Sequence, residues 1–324
     1  MKHFTGVSLL YGGITMNLKR IRRALVRDWQ YYVFLILPVA YILIFAYYPM
    51  LGVQLAFRKY QARAGIWGSP WVGLKYFEKF LTSYQFERVV GNTLILSVYG
   101  LVTAHVIPIC FALILNTIEI PRFKKITQTI VNLPHFISTV VLVGILFQIF
   151  NSRTGIYGTA SLQLTGEYPV DLFGQLGPFR HMYVWSGVWQ NFGWNAIIYI
   201  AALAGVDAEL HEAAQIDGAS RVQRIRYIDF PHIMPTIVIL LIMGVGSIMS
   251  VGFEKAYLMQ NNLNLAHSEL ISTYVYKVGL AGTGTGKTDF SYSTAIGLFN
   301  SLVNLVLIVI TNTISRRVSE TSLW

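Results

Sequence analysis

Two short motifs in this chain resemble sites that bind phosphate or zinc. The segment AGTGTGKT, residues 281–288, ends in Gly-Lys-Thr, as does a phosphate-binding loop whose backbone N–H groups and lysine hold nucleotide phosphates. The segment HEAAQ, residues 211–215, has the first histidine and the glutamate of a zinc-protease helix. Gln215 stands where the second histidine ligand would be, so the motif is incomplete and we expect no metal site.

The surroundings of the phosphate-loop motif argue against nucleotide binding. Such a loop joins a buried strand to a packed helix. The preceding STYVYKVGL could form a strand, but the following DFSYSTAIGLFNSLVNLVLIVI is apolar enough to cross a membrane, and no βαβ pattern surrounds it. The first position is Ala281 rather than glycine. We therefore expect a glycine-rich outer loop, with Lys287 near a docked partner, and no cofactor bound by this chain.

Polar and aromatic side chains inside apolar segments form a second group of candidates. Aromatic faces beside neutral hydrogen-bonding groups are typical of sugar sites, and polar groups at membrane depth face protein or a water-filled cavity. The candidates for a substrate path are Gln148, Trp185, Trp189, Asn191, Asn195, Asn300 and Asn304. For each residue the alternative is interhelical hydrogen bonding or interfacial anchoring by tryptophan.

The elements that position these residues are apolar helices. Of the 324 residues, 54% are hydrophobic and 12% charged, whereas soluble domains carry about 25% charged residues. None of the 25 basic and 15 acidic residues falls inside the apolar segments, as the cost of a charge at mid-bilayer requires. The sequence predicts an all-α membrane protein with six transmembrane helices of roughly 20 residues or more, at 31–51, 89–115, 128–150, 181–204, 233–253 and 291–314.

The distribution of charge indicates the orientation. The basic cluster KRIRR, residues 19–23, lies shortly before the first span and favours a cytoplasmic N-terminus. An even number of spans then places both termini in the cytoplasm, as an N-terminal segment 1–30 and a tail 315–324 flanking the membrane domain 31–314. The net charge of +10 is typical of cationic loops beside anionic lipid, with a polyanionic substrate as the alternative.

The loop between the fourth and fifth spans, residues 205–232, is too polar to cross a membrane and too patterned to be a simple linker. Asp207 is an expected N-cap, and Gly218 suits the left-handed position that ends a helix of about ten residues. Ser220 begins a capping box that opens a second helix, which we expect Pro231 to stop. The prediction is a helix–glycine–helix unit held under the membrane.

The two helices of this loop have different surfaces. Glu212 offers a carboxylate to an arginine, whereas the second helix is basic and begins near Arg221. Small residues near the centre of a helix face let another backbone approach closely, and such a face carries Leu210, Ala213, Ala214 and Asp217. The alternative is a helix that lies on the membrane with its arginines on lipid phosphates.

The stretch EAAQIDGASRVQRIRYIDFP resembles the signature loop of ABC importer membrane subunits, which is Glu-Ala-Ala, three residues, Gly, nine residues, then Ile-x-Leu-Pro. The matching positions are Glu212, Ala213, Ala214, Gly218, Ile228, Phe230 and Pro231, with Phe230 in place of leucine. The stretches SPWVGLKYFEKF, NLPHFISTVV, DFSYSTAIGLFNS and TSLW resemble the oligosaccharide and polysaccharide branch of these permeases. The resemblance covers nearly the whole chain.

This resemblance implies the transmembrane domain of a type I ABC importer in a bacterial inner membrane. Its expected partners are a second permease, two cytoplasmic ATPase subunits that hold ATP and magnesium, and an extracytoplasmic binding protein, with no nucleic acid. The loop would act as a coupling helix that docks on the ATPase. The expected coupling residues are Glu212, Ala213, Ala214, Asp217, Gly218, Arg221 and Pro231.

The resemblance also implies an oligo- or polysaccharide substrate, with alginate or a related acidic sugar as the expectation. Because no cation lies inside the spans, the charge that neutralises such a sugar would come from helix ends, loops or the partner permease. An importer of a different solute is one alternative. An ion-coupled secondary transporter is another: it usually carries a membrane-embedded carboxylate, and the lack of one in the predicted spans argues against proton coupling but leaves sodium coupling through carbonyl groups open. The signature loop argues against a third class, a structural or assembly protein.

Overall fold

The structure, a computed structural model, describes residues 26–282 and 287–318. Within these residues the chain is helical, and apart from isolated bridges it contains no β-strand. The basic cluster at 19–23, the glycine-rich residues 283–286 and the last part of the predicted tail, 319–324, lie outside the described residues.

The chain divides into two units, Met1–Gln54 and Leu55–Trp324. Helix α1, Trp29–Phe57, contains the first predicted span and is long and apolar enough to cross a membrane. Its apolar side chains are exposed between Tyr31 and Met50. An exposed apolar helix of this length is suited to contact with lipid, because all its backbone groups are satisfied internally.

The second unit contains the remaining predicted spans. Its principal helices are α2 (Tyr84–Asn116), α3 (Pro121–Phe136), α4 (Thr139–Ile149), α5 (Leu176–Leu203), α6 (Ala208–Ile216), α7 (Arg221–Gly246), α8 (Phe253–Met259) and α9 (Phe290–Val318). By length and composition α1, α2, α7 and α9 could each cross a membrane, and the bent pair α3–α4 could form a fifth span. Helix α5 has 28 residues and is therefore long enough to cross a membrane. Its arginine and amide side chains make it less apolar than these candidate spans.

The predicted third span, 128–150, is not one continuous helix. It is divided between α3 and α4, which meet at 95°. Pro134 lies in the final 3-10 turn of α3, and Ser138 begins α4 by accepting a hydrogen bond from Val141 N at 3.3 Å. A proline followed by an N-cap ends one helix and starts another, so the prediction of an uninterrupted span was wrong here.

The predicted fifth span, 233–253, also ends early. Helix α7 ends at Gly246, and turns follow before α8 begins. Asn304 of α9 supports this break, because its Oδ1 accepts a hydrogen bond from Met249 N at 3.0 Å and its Nδ2 donates to Ser250 Oγ at 2.9 Å. A side chain thus replaces the backbone partners that a continuous helix would have supplied.

Helix α5 is central to the second unit. It packs along α2 and contacts α3, α7 and α8. Gly193 permits its close approach to α3, because a Cβ atom there would collide with Val131 O. Towards the end of α5, Tyr199 and Leu203 are buried with Ile109 of α2 and Ile233 of α7. This apolar cluster holds α2, α5 and α7 together next to the loop at 205–232.

Candidate coupling loop and substrate cavity

The loop between α5 and α7 has the predicted helix–glycine–helix geometry. Asp207 caps α6 by accepting a hydrogen bond from Glu209 N at 3.0 Å. Gly218 has φ of +78°, the left-handed conformation that glycine adopts without steric cost. Ser220 and Gln223 form the reciprocal capping box. These local predictions are confirmed.

The prediction that Pro231 stops the second helix was wrong. Helix α7 runs from Arg221 through Pro231 to Gly246. The wide π-helical turn Ile225–Asp229 ends two residues before the proline, and a wide turn accommodates a residue that has no N–H to donate one turn back. The second half of the loop is therefore the beginning of a membrane helix, so any displacement of the loop acts directly on α7.

The outer face of the loop is exposed and partly apolar. Leu210, Ile216 and Val222 are 55%, 86% and 72% exposed. Exposed apolar groups rimmed by charged residues are typical of protein-docking surfaces. Of the predicted coupling residues, Ala214 is half-buried, and the exposed ones are Glu212, Ala213, Asp217, Gly218, Arg221 and Pro231.

The inner face of α6 is joined to the membrane helices through Asp229, whose exposure is only 2%. His211 Nε2 lies 3.2 Å from Asp229 Oδ1, and Asn116 Nδ2 at the end of α2 donates to the same oxygen at 3.2 Å. Lys124 Nζ of α3 donates to Asn116 Oδ1 at 3.4 Å. We did not predict this polar network, because Asp229 occupies the unspecified position of the signature motif.

The predicted path residues of α5 lie on two different sides of the helix. Trp185 and Trp189 border an apolar groove between α4 and α5. Asn191 and Asn195 instead line a cavity of about 310 Å³ between α2 and α5. An α-helix turns about 100° per residue, so a separation of two residues, as from Trp189 to Asn191, carries a side chain to the opposite face.

The two asparagines of this cavity differ in their partners. Asn191 Oδ1 accepts a hydrogen bond from His135 Nδ1 at 2.9 Å, and its Nδ2 donates to Gly187 O at 3.0 Å. Asn191 therefore supports the bend between α3 and α4. Asn195 is half-buried, and its side chain forms no hydrogen bond within the described part of the chain, which leaves its amide available to a ligand.

The other predicted path residues lie away from this cavity. Gln148 is exposed near the end of α4. On α9, Asn304 supports the break after α7, and Asn300 Oδ1 is buried without a donor among the described residues. The structure thus does not bring the predicted residues together around one path.

A cation that we did not predict also lines the cavity. Lys255 on α8 donates from Nζ to Tyr183 O at 2.6 Å, and Nζ lies 4.8 Å from the centroid of the Tyr183 ring. Burial lowers the pKa of the Lys255 ammonium to about 7. Its position depends on the break after Gly246, which an average of hydropathy along the sequence does not detect.

The phosphate-loop motif lacks the strand that its function requires. The segment before it forms the short helix Ile271–Tyr276 and the wide turn Lys277–Ala281. Among the described residues there is also no group of three or more His, Cys, Asp or Glu side chains that could hold a metal ion.

Comparison with known proteins shows the family. The model of the family described as "Binding-protein-dependent transport system inner membrane component" matches residues 109–320. Protein LplB of Bacillus subtilis (strain 168) is 40% identical over 301 residues, 93% of each chain. The polygalacturonan/rhamnogalacturonan transport system permease protein YteP of the same organism is 37% identical over 306 residues, 94% of each chain.

Two solved structures share the fold. One chain of a bacterial ABC transporter involved in the import of the acidic polysaccharide alginate has a TM-score of 0.83 and 36% identity, covering 93% of this chain and 99% of that chain. One chain of a bacterial alginate ABC transporter in complex with alginate pentasaccharide-bound periplasmic protein has a TM-score of 0.84 and 35% identity, covering 94% and 100%. This chain therefore belongs to the binding-protein-dependent transport system inner membrane components and is a permease subunit of an ABC importer, not an enzyme.

Proposed function

We propose that this permease subunit works in an ATP-driven importer of an acidic oligo- or polysaccharide, with alginate as the best candidate. The observation that carries the mechanism is the two-sided loop at 205–232. Its outer face is exposed. On its inner side, Asp229 joins α6 through His211 to the end of α2 through Asn116. A rigid unit with this arrangement can pass movement of a cytoplasmic partner to the membrane helices.

The docking core of this loop is Glu212, Ala213, Ala214 and Gly218, with Asp217, Arg221 and Pro231 as supporting residues. Ala213 is exposed and small, so a groove of an ATPase subunit can approach α6 closely. Glu212 is exposed beside it and pairs with a basic residue of that groove. Two ATPase subunits bind ATP and magnesium, and this chain binds neither.

The remaining partners are a second permease, an extracytoplasmic binding protein and membrane lipid. The complex of the similar alginate transporter with a periplasmic protein supports the binding-protein partner. Lys287 borders a basic cavity of about 530 Å³ together with Lys59 and Lys79, and this cavity belongs to the loops that would face the binding protein. Both termini lie in the cytoplasm, as the positive-inside rule favours.

The acidic substrate is supported by the substrates for which the similar proteins are named. Polygalacturonan, named for YteP, and alginate, named for the two solved transporters, are both built from uronic acids, so each sugar unit carries a carboxylate. The net charge of +10 is compatible with such a substrate but does not identify it.

The test is ATP hydrolysis by the assembled complex, including its binding protein, with a panel of oligosaccharides. We expect oligouronates to stimulate hydrolysis several-fold and neutral oligosaccharides of the same length to leave it near the basal rate. Stimulation by neutral sugars alone would overturn the acidic substrate. Transport driven by an ion gradient without ATPase subunits would overturn the ATP-driven mechanism itself.

A further inference from the structure

We propose that Lys255 binds a carboxylate of the transported sugar inside the cavity between α2 and α5. This inference rests on the proposed acidic substrate and assigns its neutralising cation to one residue of this chain. It concerns the same cavity that Asn195 lines with a side-chain amide that has no hydrogen-bond partner among the described residues.

The packing of α8 directs Lys255 towards α5. Ala256 and Met259 are both 0% exposed and belong to the core that α8 shares with α2, α4 and α5. Lys255 precedes Ala256, so its side chain leaves the helix about 100° from the buried face and reaches Tyr183. Gly187 leaves room for the ammonium, since a Cβ atom there would lie 3.2 Å from Lys255 Nζ.

The ammonium has no counter-ion within the described part of the chain. No carboxylate lines the cavity, and its other polar side chains besides Tyr183 are the neutral groups of Thr103, Gln190, Asn191 and Asn195. The carbonyl of Tyr183 accepts one of the three N–H groups of Lys255. Burial of a charge without a partner is costly, and a carboxylate from a ligand would offset that cost.

The neutral lining fits the rest of a uronate unit. A uronic acid presents one carboxylate and several hydroxyl groups, which need a cation and neutral hydrogen-bonding partners respectively. The volume of about 310 Å³ is at the lower end of the roughly 300–1,000 Å³ of small-molecule sites. The cavity therefore accommodates a short stretch of the polymer rather than a long bound chain.

A purely structural role is the competing explanation, because the hydrogen bond to Tyr183 O also fastens α8 to α5. The experiment uses the complete complex in proteoliposomes with its binding protein and measures uptake of a tetramannuronate. We expect Lys255→Met to lower the uptake rate at least tenfold, since hydrogen bonds to charged groups are stronger than those between neutral groups. Lys255→Arg keeps the charge and retains most of the uptake.

Lys75→Met is the matched control, because Lys75 is exposed on a short helix outside the cavity. We expect this variant to import the sugar at the wild-type rate. Uptake by Lys255→Met within twofold of the wild-type rate would overturn the inference while leaving the proposed function intact. Failure of the wild-type complex to import tetramannuronate would overturn the acidic substrate itself, and the two failures are thus distinguishable.

A second measurement does not depend on the assembly of any variant. A carbodiimide added to the wild-type complex during turnover activates the sugar carboxylate, so that a lysine amine in contact with it forms an amide and the urea by-product leaves. We expect mass spectrometry to find the sugar attached to Lys255. Attachment to other lysines with none at Lys255 would contradict direct contact. A lysine with a merely structural role would not become attached to the sugar, so this measurement separates the two explanations.

Discussion

The contact between His211 and Asp229 joins α6 to α7, so that a displacement of α6 is passed on to the membrane helix. Asp229 belongs to the wide turn in the first part of α7, and His211 belongs to α6. Removal of Asp229 would leave both His211 and Asn116 without their shared acceptor. Removal of His211 is the milder change, because Asp229 keeps its hydrogen bond from Asn116.

We expect His211→Ala to reduce the amount of sugar transported per ATP hydrolysed by at least threefold. The outer docking face is unchanged in this variant, so the ATPase subunits still bind, but α6 loses its side-chain contact with Asp229 of α7. The measurement is sugar uptake and ATP hydrolysis in the same proteoliposomes.

His232→Ala is the control for this prediction, because His232 belongs to the same region, is exposed and forms no ion pair within the described residues. The same ratio of transport to hydrolysis in both variants and in the wild type would show that the contact between His211 and Asp229 carries no movement.

At the scale of helices and loops, the features that depend on neighbouring residues could be predicted from the sequence. Asp207, Gly218 and Ser220 act on the backbone within a few positions of themselves, so residue type and spacing were sufficient. Pro134 is a similar local signal for the bend between α3 and α4, but it lies within an apolar segment long enough to suggest a single span.

The break after α7 and the place of Lys255 could not be predicted in this way. The break is supported by Asn304, whose partners are more than fifty residues away in the sequence. Lys255 reaches the cavity only because α8 packs on α5. The mean hydropathy of a segment depends only on its composition. It cannot show that a side chain far away in the sequence will accept the hydrogen bond of a backbone N–H group.

We expect Gly218→Ala to weaken the coupling loop through backbone strain alone. No atom lies within 4 Å of the position of an added Cβ, but φ of +78° costs an L-residue roughly 1–2 kcal/mol. The turn between α6 and α7 then relaxes, and we expect several-fold less ATPase subunit to copurify with the permease. Gly218→Asn has a smaller effect, because asparagine tolerates this conformation better.

Gly166→Ala is a matched control for Gly218→Ala. Gly166 has φ of +77° and no atom within 4 Å of an added Cβ, but it follows the helix Ile156–Thr165 rather than α6. The substitution Gly166→Ala therefore introduces a similar backbone strain away from the coupling loop, and we expect the ATPase subunits to remain bound. Equal losses in both variants would indicate general destabilisation and contradict a specific role of Gly218.

At the scale of the whole second unit, the cavity and the coupling loop share the same helices. Helix α2 lines the cavity at Gly100, Thr103 and Ala104 and ends at Asn116, which bonds Asp229. Helix α5 lines the same cavity and ends immediately before the loop. Because packed helices move as rigid bodies, a shift of the loop that displaces these helix ends also changes the width of the cavity.

The predicted topology requires positions 75 and 222 to lie on opposite sides of the membrane, because α2, the pair α3–α4 and α5 lie between them. We expect a membrane-impermeant maleimide to label Lys75→Cys in intact spheroplasts and to label Val222→Cys only after permeabilisation. Both positions are exposed, Val222 by 72%. The chain has one cysteine, so a Cys110→Ser background removes competing labelling. Labelling of both positions in intact spheroplasts would mean that either α5 or the bent pair α3–α4 does not cross the membrane. The coupling loop would then lie outside the cell and could not meet a cytoplasmic ATPase.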